Sequence, residues 1–182
     1  MTVRKVLKYG DPKLREKAKE VHKVSKKIKD LVQDMLETMY TNNGVGLAAP
    51  QIGESYRIFV IDTTTNKEPL HPIVFINPKI IKLSGSQIEQ EGCLSFPEVF
   101  FDVKRYKDVT VKALDINGRP FIIEAKDGTL QSRAIQHEFD HLEGILFVDH
   151  CVNRFEADEI LAKYNLPPVD PEKIITGEVC ED

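Results

Sequence analysis

From Ser25 onward the apolar residues Ile28, Leu31, Val32, Met35, Leu36 and Met39 recur at helical spacing, and Asn43-Gly44 follows the last of them. The pattern predicts one amphipathic helix, stopped by residues that favour a left-handed cap. Upstream, Asp11-Pro12 reads as an N-cap and first-turn proline opening a short helix that includes Leu14. The apolar run RIFVID (57–62) predicts a buried strand. IVFINPKIIKL (73–83) predicts two short strands broken at Pro78. VTVKALD and PFIIEA flank Ile116-Asn117-Gly118-Arg119, and the Asn-Gly pair predicts a tight hairpin. Asp127-Gly128-Thr129 then starts a helix that Gly144 ends, with ILFVD after it. A last helix, Arg154 to Tyr164, stops before Pro167-Pro168. The segment GVGLAAPQIG (44–53) is too rich in Gly and Ala to be simply core, and PPVDPEKIITGEVCED reads as a loose surface tail. With no repeat, low-complexity tract or linker, the expectation is an α+β domain over 1–165, built of short antiparallel strands around one functional helix, and a tail over 166–182.

Composition narrows the function classes. A length of 182 residues allows one domain with a real core, and a net charge of −4 leaves no basic surplus for a nucleic-acid face. The basic runs KVSKKIK and REKAK fall on amphipathic helices and read as solvated outer faces. No stretch is apolar enough to span a bilayer, and MTVRKVLKYGD lacks the features of a secretory signal. Cys93, Cys151 and Cys180 are odd in number and have no paired spacing, which suits free thiols in a reducing compartment. The expectation is a cytoplasmic protein with no DNA and no membrane partner.

The helix after Thr129 carries HEFDH at 137–141. Two imidazoles four apart lie on one helix face and can share a metal, and Glu138 is close enough to handle a proton on metal-held water. A catalytic metal needs a third ligand. The extended zinc-peptidase pattern would place it at Phe147, which cannot bind a metal, and nothing in the sequence around Glu156 or Glu159 supports either of them. A better candidate lies upstream in EGCLSFP (91–97), where Cys93 stands between Gly92 and Leu94 and Pro97 ends the segment, although a lone cysteine is more often a small buried hydrophobe.

GVGLAAPQIG (44–53), EGCLS (91–95) and QHEFDHLEG (136–144) together resemble the three signature motifs of peptide deformylase, in that family's order and at comparable spacing. The resemblance runs from the first helix to the last and implies a peptide-deformylase-like fold. It implies that Cys93, His137 and His141 bind the metal and that Glu138 is the general acid/base. Gln51 and the Leu94 backbone N–H would donate to the oxyanion, and the backbone around Gly46 would pair with an extended substrate. Val45, Leu130 and Ala134, with the His137 ring nearby, would line a pocket for an unbranched apolar side chain. Glu91 would hold its motif against Arg105. The implied reaction is hydrolytic removal of the formyl group from formyl-methionyl nascent peptides. Ferrous iron, one per chain, is the implied metal, and thiolate plus two imidazoles would also accept zinc, nickel or cobalt. Encounter with substrate at the ribosome is implied, but docking through the tail is not, since that tail is acidic and Pro-rich.

Each of these residues has a plainer reading. Gln51 alone could be a polar loop residue, and Gly44 and Gly46 turn punctuation. His22, His71 and His150 read as surface or structural, Cys151 and Cys180 receive no role, and Phe139 and Leu142 face the core. The competing functions are a zinc endopeptidase, which Phe147 disfavours, and a binding protein whose metal only holds the fold. The latter would need a closed fourth ligand or a damaged Glu138/Gln51 pair.

Overall fold

The structure, a computed structural model, describes residues 2–64, 70–170 and 172. Ser25 precedes α1 (Lys26–Thr41), and three-residue β1 (Gly46–Ala48) leads into a 3-10 turn over Ala49–Ile52. The strands β2 (Ile58–Ile61), β3 (Ile73–Ser84), β4 (Gln87–Cys93), β5 (Phe96–Arg105), β6 (Asp108–Leu114) and β7 (Pro120–Ala125) follow. Then come α2 (Leu130–Leu142), a 3-10 turn over Phe147–His150, and α3 (Arg154–Lys163). All pairing between named strands is antiparallel. One sheet runs β1-β2-β3-β6-β7, and β4 and β5 form a separate two-stranded sheet.

The short strand β2 is buried on both faces. Ile58 and Val60 belong with Val32, Met35 and Met39 of α1, while Phe59 and Ile61 belong with Ala134, Ile135 and Leu142 of α2. Alternation of side chains therefore clamps the same four residues between two helices. A third cluster joins Phe96, Val99, Phe101 and Val103 of β5 to Leu146, Phe147 and Val148 and to Ala157 and Leu161 of α3. Helix α2, which carries HEFDH, thus sits with the larger sheet on one side and the β4-β5 hairpin near its other end.

Three local expectations change. Residues 73–83 are one strand, not two. Asn77 takes φ 50° and shifts the register between Ile76 and Lys79, while its side chain bonds both the N–H and the carbonyl of Val21 at 2.8 and 2.9 Å. The chain kinks at Asn77-Pro78 but stays in the sheet, because a side chain replaces the lost ladder partners. The β6-β7 connection is longer than a two-residue Asn-Gly turn. Gly118 alone takes positive φ, Asp115 N–H bonds Arg119 O at 2.9 Å, and the Asp115 carboxylate accepts from the N–H groups of Asn117 and Arg119. Pro97 does not end its segment; it lies within β5, beside the bulge where Cys93 pairs Phe96.

The tail also begins differently. Val169 is buried, its N–H bonds Asp158 at 2.8 Å, and Pro168 O accepts from the Tyr9 hydroxyl at 3.2 Å. The first residues after Asn165 are therefore packed, not loose, and Cys180 lies outside the described residues. At the other end, residues 2–21 form a strap across the body. Leu7 N–H bonds Gln51 O at 2.7 Å, Tyr9 N–H bonds Ser95 O at 2.9 Å, and Ala18 N–H bonds Leu142 O at 2.9 Å. Among the described residues, no helix is long and apolar enough to cross a membrane.

Candidate active site

Helix α2 is opened by Thr129, whose hydroxyl accepts from Ser132 N–H at 3.3 Å, after a reversal at Asp127 and Gly128, both at positive φ. Its spacing puts His137, Glu138 and His141 on a buried side. The bulge at the end of β4 brings Cys93 to them. One donor atom from each of Cys93, His137 and His141 lies within 4.8 Å of the others, and Cys93 Sγ is 3.4 Å from His141 Nε2. Neither Glu156 nor Glu159 belongs to this group. Phe147, where an extended peptidase pattern would need a histidine, is buried with its ring 5.7 Å from that of His137.

Buried charge surrounds the cluster. Glu91 Oε2 lies 2.9 Å from His137 Nδ1, and the Arg105 guanidinium makes a bidentate pair with Glu91 at 3.0 and 3.1 Å. Arg105 also bonds Asp140, and Asp140 reaches His150 Nε2 at 3.0 Å. Burial opposes the charge on Glu91, but Arg105 and His137 overcome it and hold Glu91 well below the carboxylate range. Burial likewise opposes charge on His137, and its bonds to Cys93 and Glu91 outweigh that, raising it. Burial and the charge of His137 keep His141 well below its usual value, hence neutral. Glu138 has no such cation within hydrogen-bond reach, and burial pushes it up to about 7.

Gln51 is fully inside. Its Oε1 accepts from Ala48 N–H at 2.8 Å, and its Nε2 lies 3.2 Å from Ser95 Oγ and 3.4 Å from Cys93 Sγ. Strand β1 is the edge of the larger sheet, so the backbone at Gly46 has a strand on one side only. A Cβ at Gly46 would collide with the Glu138 carboxylate. Leu94 follows Cys93, and its carbonyl accepts from Lys8 Nζ at 2.9 Å.

These groups open onto a cleft of about 470 Å³, lined among others by Val45, Gly46, Leu130, Ala134, His137 and Glu138. Val45 and Leu130 stand partly exposed at 45% and 42%, whereas Ala134 is buried. Every site residue proposed from sequence comes to this cleft, to the Cys93–His137–His141 cluster or to the charge network behind it. Sequence reasoning missed Ser95, Asp140, Lys8 and Phe100. Asp140 lies inside HEFDH and could have been singled out as a buried carboxylate needing a partner, but Lys8 arrives only through the strap. His22 and His71 are exposed and lie apart from the cluster, and Phe139 and Leu142 pack into the core.

The donor set fits a divalent metal. Glu91 engages Nδ1 of His137, which fixes the ring and leaves Nε2 as the free donor. The half-buried Cys93 thiol and the neutral His141 imidazole complete three ligands of the borderline-soft kind. Glu138 Oε2 is buried without a hydrogen-bond partner, an arrangement that is costly unless a further group is held there.

A model of the family described as polypeptide deformylase matches residues 3–156. A peptide deformylase of Dictyoglomus thermophilum is 50% identical over 150 residues, covering 82% of this chain and 94% of that protein. The crystal structure of a peptide deformylase from Synechococcus elongatus, in complex with actinonin, superposes with a TM-score of 0.85 at 40% identity, covering 94% of this chain and 90% of that one. A class I type b peptide deformylase from Acinetobacter baumannii, crystallised with Met-Ala-Ser bound, gives 0.76 at 33% identity over 82% of this chain and 98% of its own. The matched span holds the cluster, the Gln51 turn and the charge network together, and the chain belongs to the polypeptide deformylase family.

Proposed function

We propose that this chain hydrolyses the formyl group from the N-terminal formyl-methionine of newly made proteins, using Cys93, His137 and His141 as metal ligands and Glu138 as acid/base. Family membership gives the reaction class, metal-dependent removal of N-terminal formyl groups from nascent proteins. The residue roles rest chiefly on one observation: the three donor atoms lie within 4.8 Å of one another, and two of their residues, Cys93 and His137, line one cleft with Glu138 and Gln51.

A divalent ion held by these three ligands supplies Lewis acidity, lowering the pKa of water toward neutrality. Glu138 takes the proton from the attacking water and returns it to the departing amine, so that formate and a free N-terminus leave. Gln51 Nε2 and the Leu94 N–H donate to the oxyanion of the tetrahedral intermediate. Gln51 is suited to this because Ala48 already fixes its other end, so little reorganisation is needed. The open edge of β1 at Gly46 lies beside the reacting groups and aligns an extended peptide. Val45, Leu130 and Ala134 receive the methionine side chain. The Met-Ala-Ser bound to the Acinetobacter relative has a methionine at its free N-terminus, in keeping with a product of this kind.

Ferrous iron is the proposed metal, and zinc, nickel or cobalt would satisfy the same ligands. Substrate is met as it emerges from synthesis in the cytoplasm, without docking through the acidic tail. The test is formate release from a short formyl-methionyl peptide by enzyme prepared without oxygen, with bound metal quantified in the same sample. Activity that follows iron content and decays in air supports both the reaction and the metal. No turnover with iron, zinc, nickel or cobalt bound would leave a site that only holds the fold. Glu138→Ala should retain metal and lose about 10²- to 10⁴-fold in turnover, whereas Cys93→Ala should lose metal itself.

A further inference from the structure

The two proposed oxyanion donors differ in how the fold holds them. Gln51 is buried, and the bond from Ala48 N–H fixes its side chain. Leu94 has no such support from the sheets. With Ser95 it forms the two-residue turn at the tip of the β4-β5 hairpin, beyond the last ladder pair, Cys93 with Phe96. Its N–H has no hydrogen-bond partner among the described residues. A donor free to swing has to be ordered during the reaction, and preorganisation removes that cost. Leu94 must therefore be held from outside the hairpin.

Three contacts do this. The Leu94 side chain lies so close to Gly44 that a Cβ there would stand 2.8 Å from Leu94 Cδ1. Tyr9 N–H bonds the next carbonyl, Ser95 O, at 2.9 Å. The Leu94 carbonyl itself accepts from Lys8 Nζ at 2.9 Å, and this is the contact made by a charge. Lys8 makes no ion pair among the described residues, so no acid competes with Leu94 for the ammonium. The bond is exposed, yet Lys8 lines the cleft, so a peptide seated there covers the bond and strengthens it by excluding water. The N–H and carbonyl of one residue are joined through only two soft torsions, so fixing one restrains the other.

We infer that Lys8 is a positioning residue for the reaction: its ammonium holds the Leu94 carbonyl and so aims the Leu94 N–H at the oxyanion. This role rests on the proposed function, which makes the Leu94 N–H a donor in the first place. The oxyanion exists only beyond the ground state, so loss of Lys8 lowers kcat and leaves KM nearly unchanged. Removing an oxyanion donor outright costs about 10²- to 10³-fold in kcat, and loosening one costs less, about tenfold.

The test uses the full, metal-loaded chain and has two readouts: formate release from formyl-Met-Ala-Ser, and the backbone order parameter of the Leu94 N–H by ¹⁵N relaxation of the zinc-loaded form. K8M keeps the aliphatic stem and removes the donor. It should lower kcat about tenfold and leave KM within about twofold, with bound metal and melting temperature unchanged. Its Leu94 order parameter should fall from the rigid range near about 0.85 toward about 0.6. K8R restores a charged donor and should return both readouts most of the way to the parent. K13M, the same change on the same strap at a lysine beside Gly53, should match the parent throughout. Parental kcat in K8M would overturn the inference. So would a raised KM at parental kcat, which would make Lys8 a contact for the peptide, or an equal loss in K13M, which would make the effect one of strap charge in general. A parent inactive with iron, zinc, nickel and cobalt would count against the proposed reaction. The Leu94 order parameter would still decide whether Lys8 holds the turn, and no change of it in K8M would overturn that hold.

Discussion

Glycine at 46 gives the Glu138 carboxylate its place, because any side chain there would occupy the same volume. Gly46→Ala should therefore lower kcat for formate release by about 10²-fold, the cost of displacing a reacting group by about an ångström, while the melting temperature changes little. The Glu91 carboxylate acts one step further back. Glu91→Gln keeps the shape but removes the charge that orients His137, and metal affinity should fall about 10- to 100-fold in a chelator competition. At this scale the candidate site was largely legible from sequence: the spacing of HEFDH brings His137, Glu138 and His141 to one side of α2, and the resemblance of EGCLS to a family motif singled out Cys93. Ser95 and Lys8 were not. The serine matters only because Gln51 Nε2 reaches it from another segment, and the lysine only because the strap brings it to Leu94.

Elements were legible where periodicity was undisturbed and obscure where a polar contact replaced it. Helix α1 matches its apolar spacing, and α2 matches the start and stop signals at Thr129 and Gly144. Strand β4, QIEQEGC, has four exposed residues in seven and forms through pairing with β5, not through burial of an alternating face. Strand β5 does alternate, with Val99, Phe101, Val103 and Arg105 buried, but exposed Phe100 and Pro97 disguised it. The kink at Asn77 was unreadable because its partner, Val21, lies fifty-six positions away. The end of α2 supplies an expected outcome at this scale. Gly144 holds φ 72°, and a Cβ there would meet the backbone carbonyl of Arg15, which has no freedom to move aside. Gly144→Ala should cost at least about 2 kcal/mol in urea denaturation, the left-handed penalty for an L residue plus the collision.

Across the whole molecule, the proposed ligands come from the β4-β5 hairpin and from α2, so a bound ion ties together parts that belong to different hydrophobic clusters. Metal in excess should raise the melting temperature of the parent and of Glu138→Ala alike, by about 4 kcal/mol of added stability at 1,000 times Kd. The Cys93→Ala variant should show little of this. A second tie lies between α1 and the end of β2, where the Tyr40 hydroxyl donates to Asp62 at 2.7 Å. Burial opposes the charge on Asp62, but bonds from Thr64, Tyr40 and His71 prevail and lower its pKa. A depressed carboxylate stabilises the fold above the ordinary carboxylate range, and this contribution is lost as pH falls through the lowered value. The stability gap between parent and Asp62→Asn should thus be constant near neutrality and close in acid, as followed by denaturant midpoints.

The strap of residues 2–21 bonds the Gln51 turn through Leu7 and the Ser95 turn through Tyr9. Two walls of the cleft are therefore fastened to one another by the strap. For anyone handling the protein, this makes the strap a poor point of attachment. A label or surface tether fixed to it pulls on the same stretch of chain that sets the spacing of the Gln51 and Ser95 turns, while the exposed face of β7 at Ile122 offers a handle outside that path. An enzyme immobilised through the strap should run slower than one held through β7, with its metal and its fold intact.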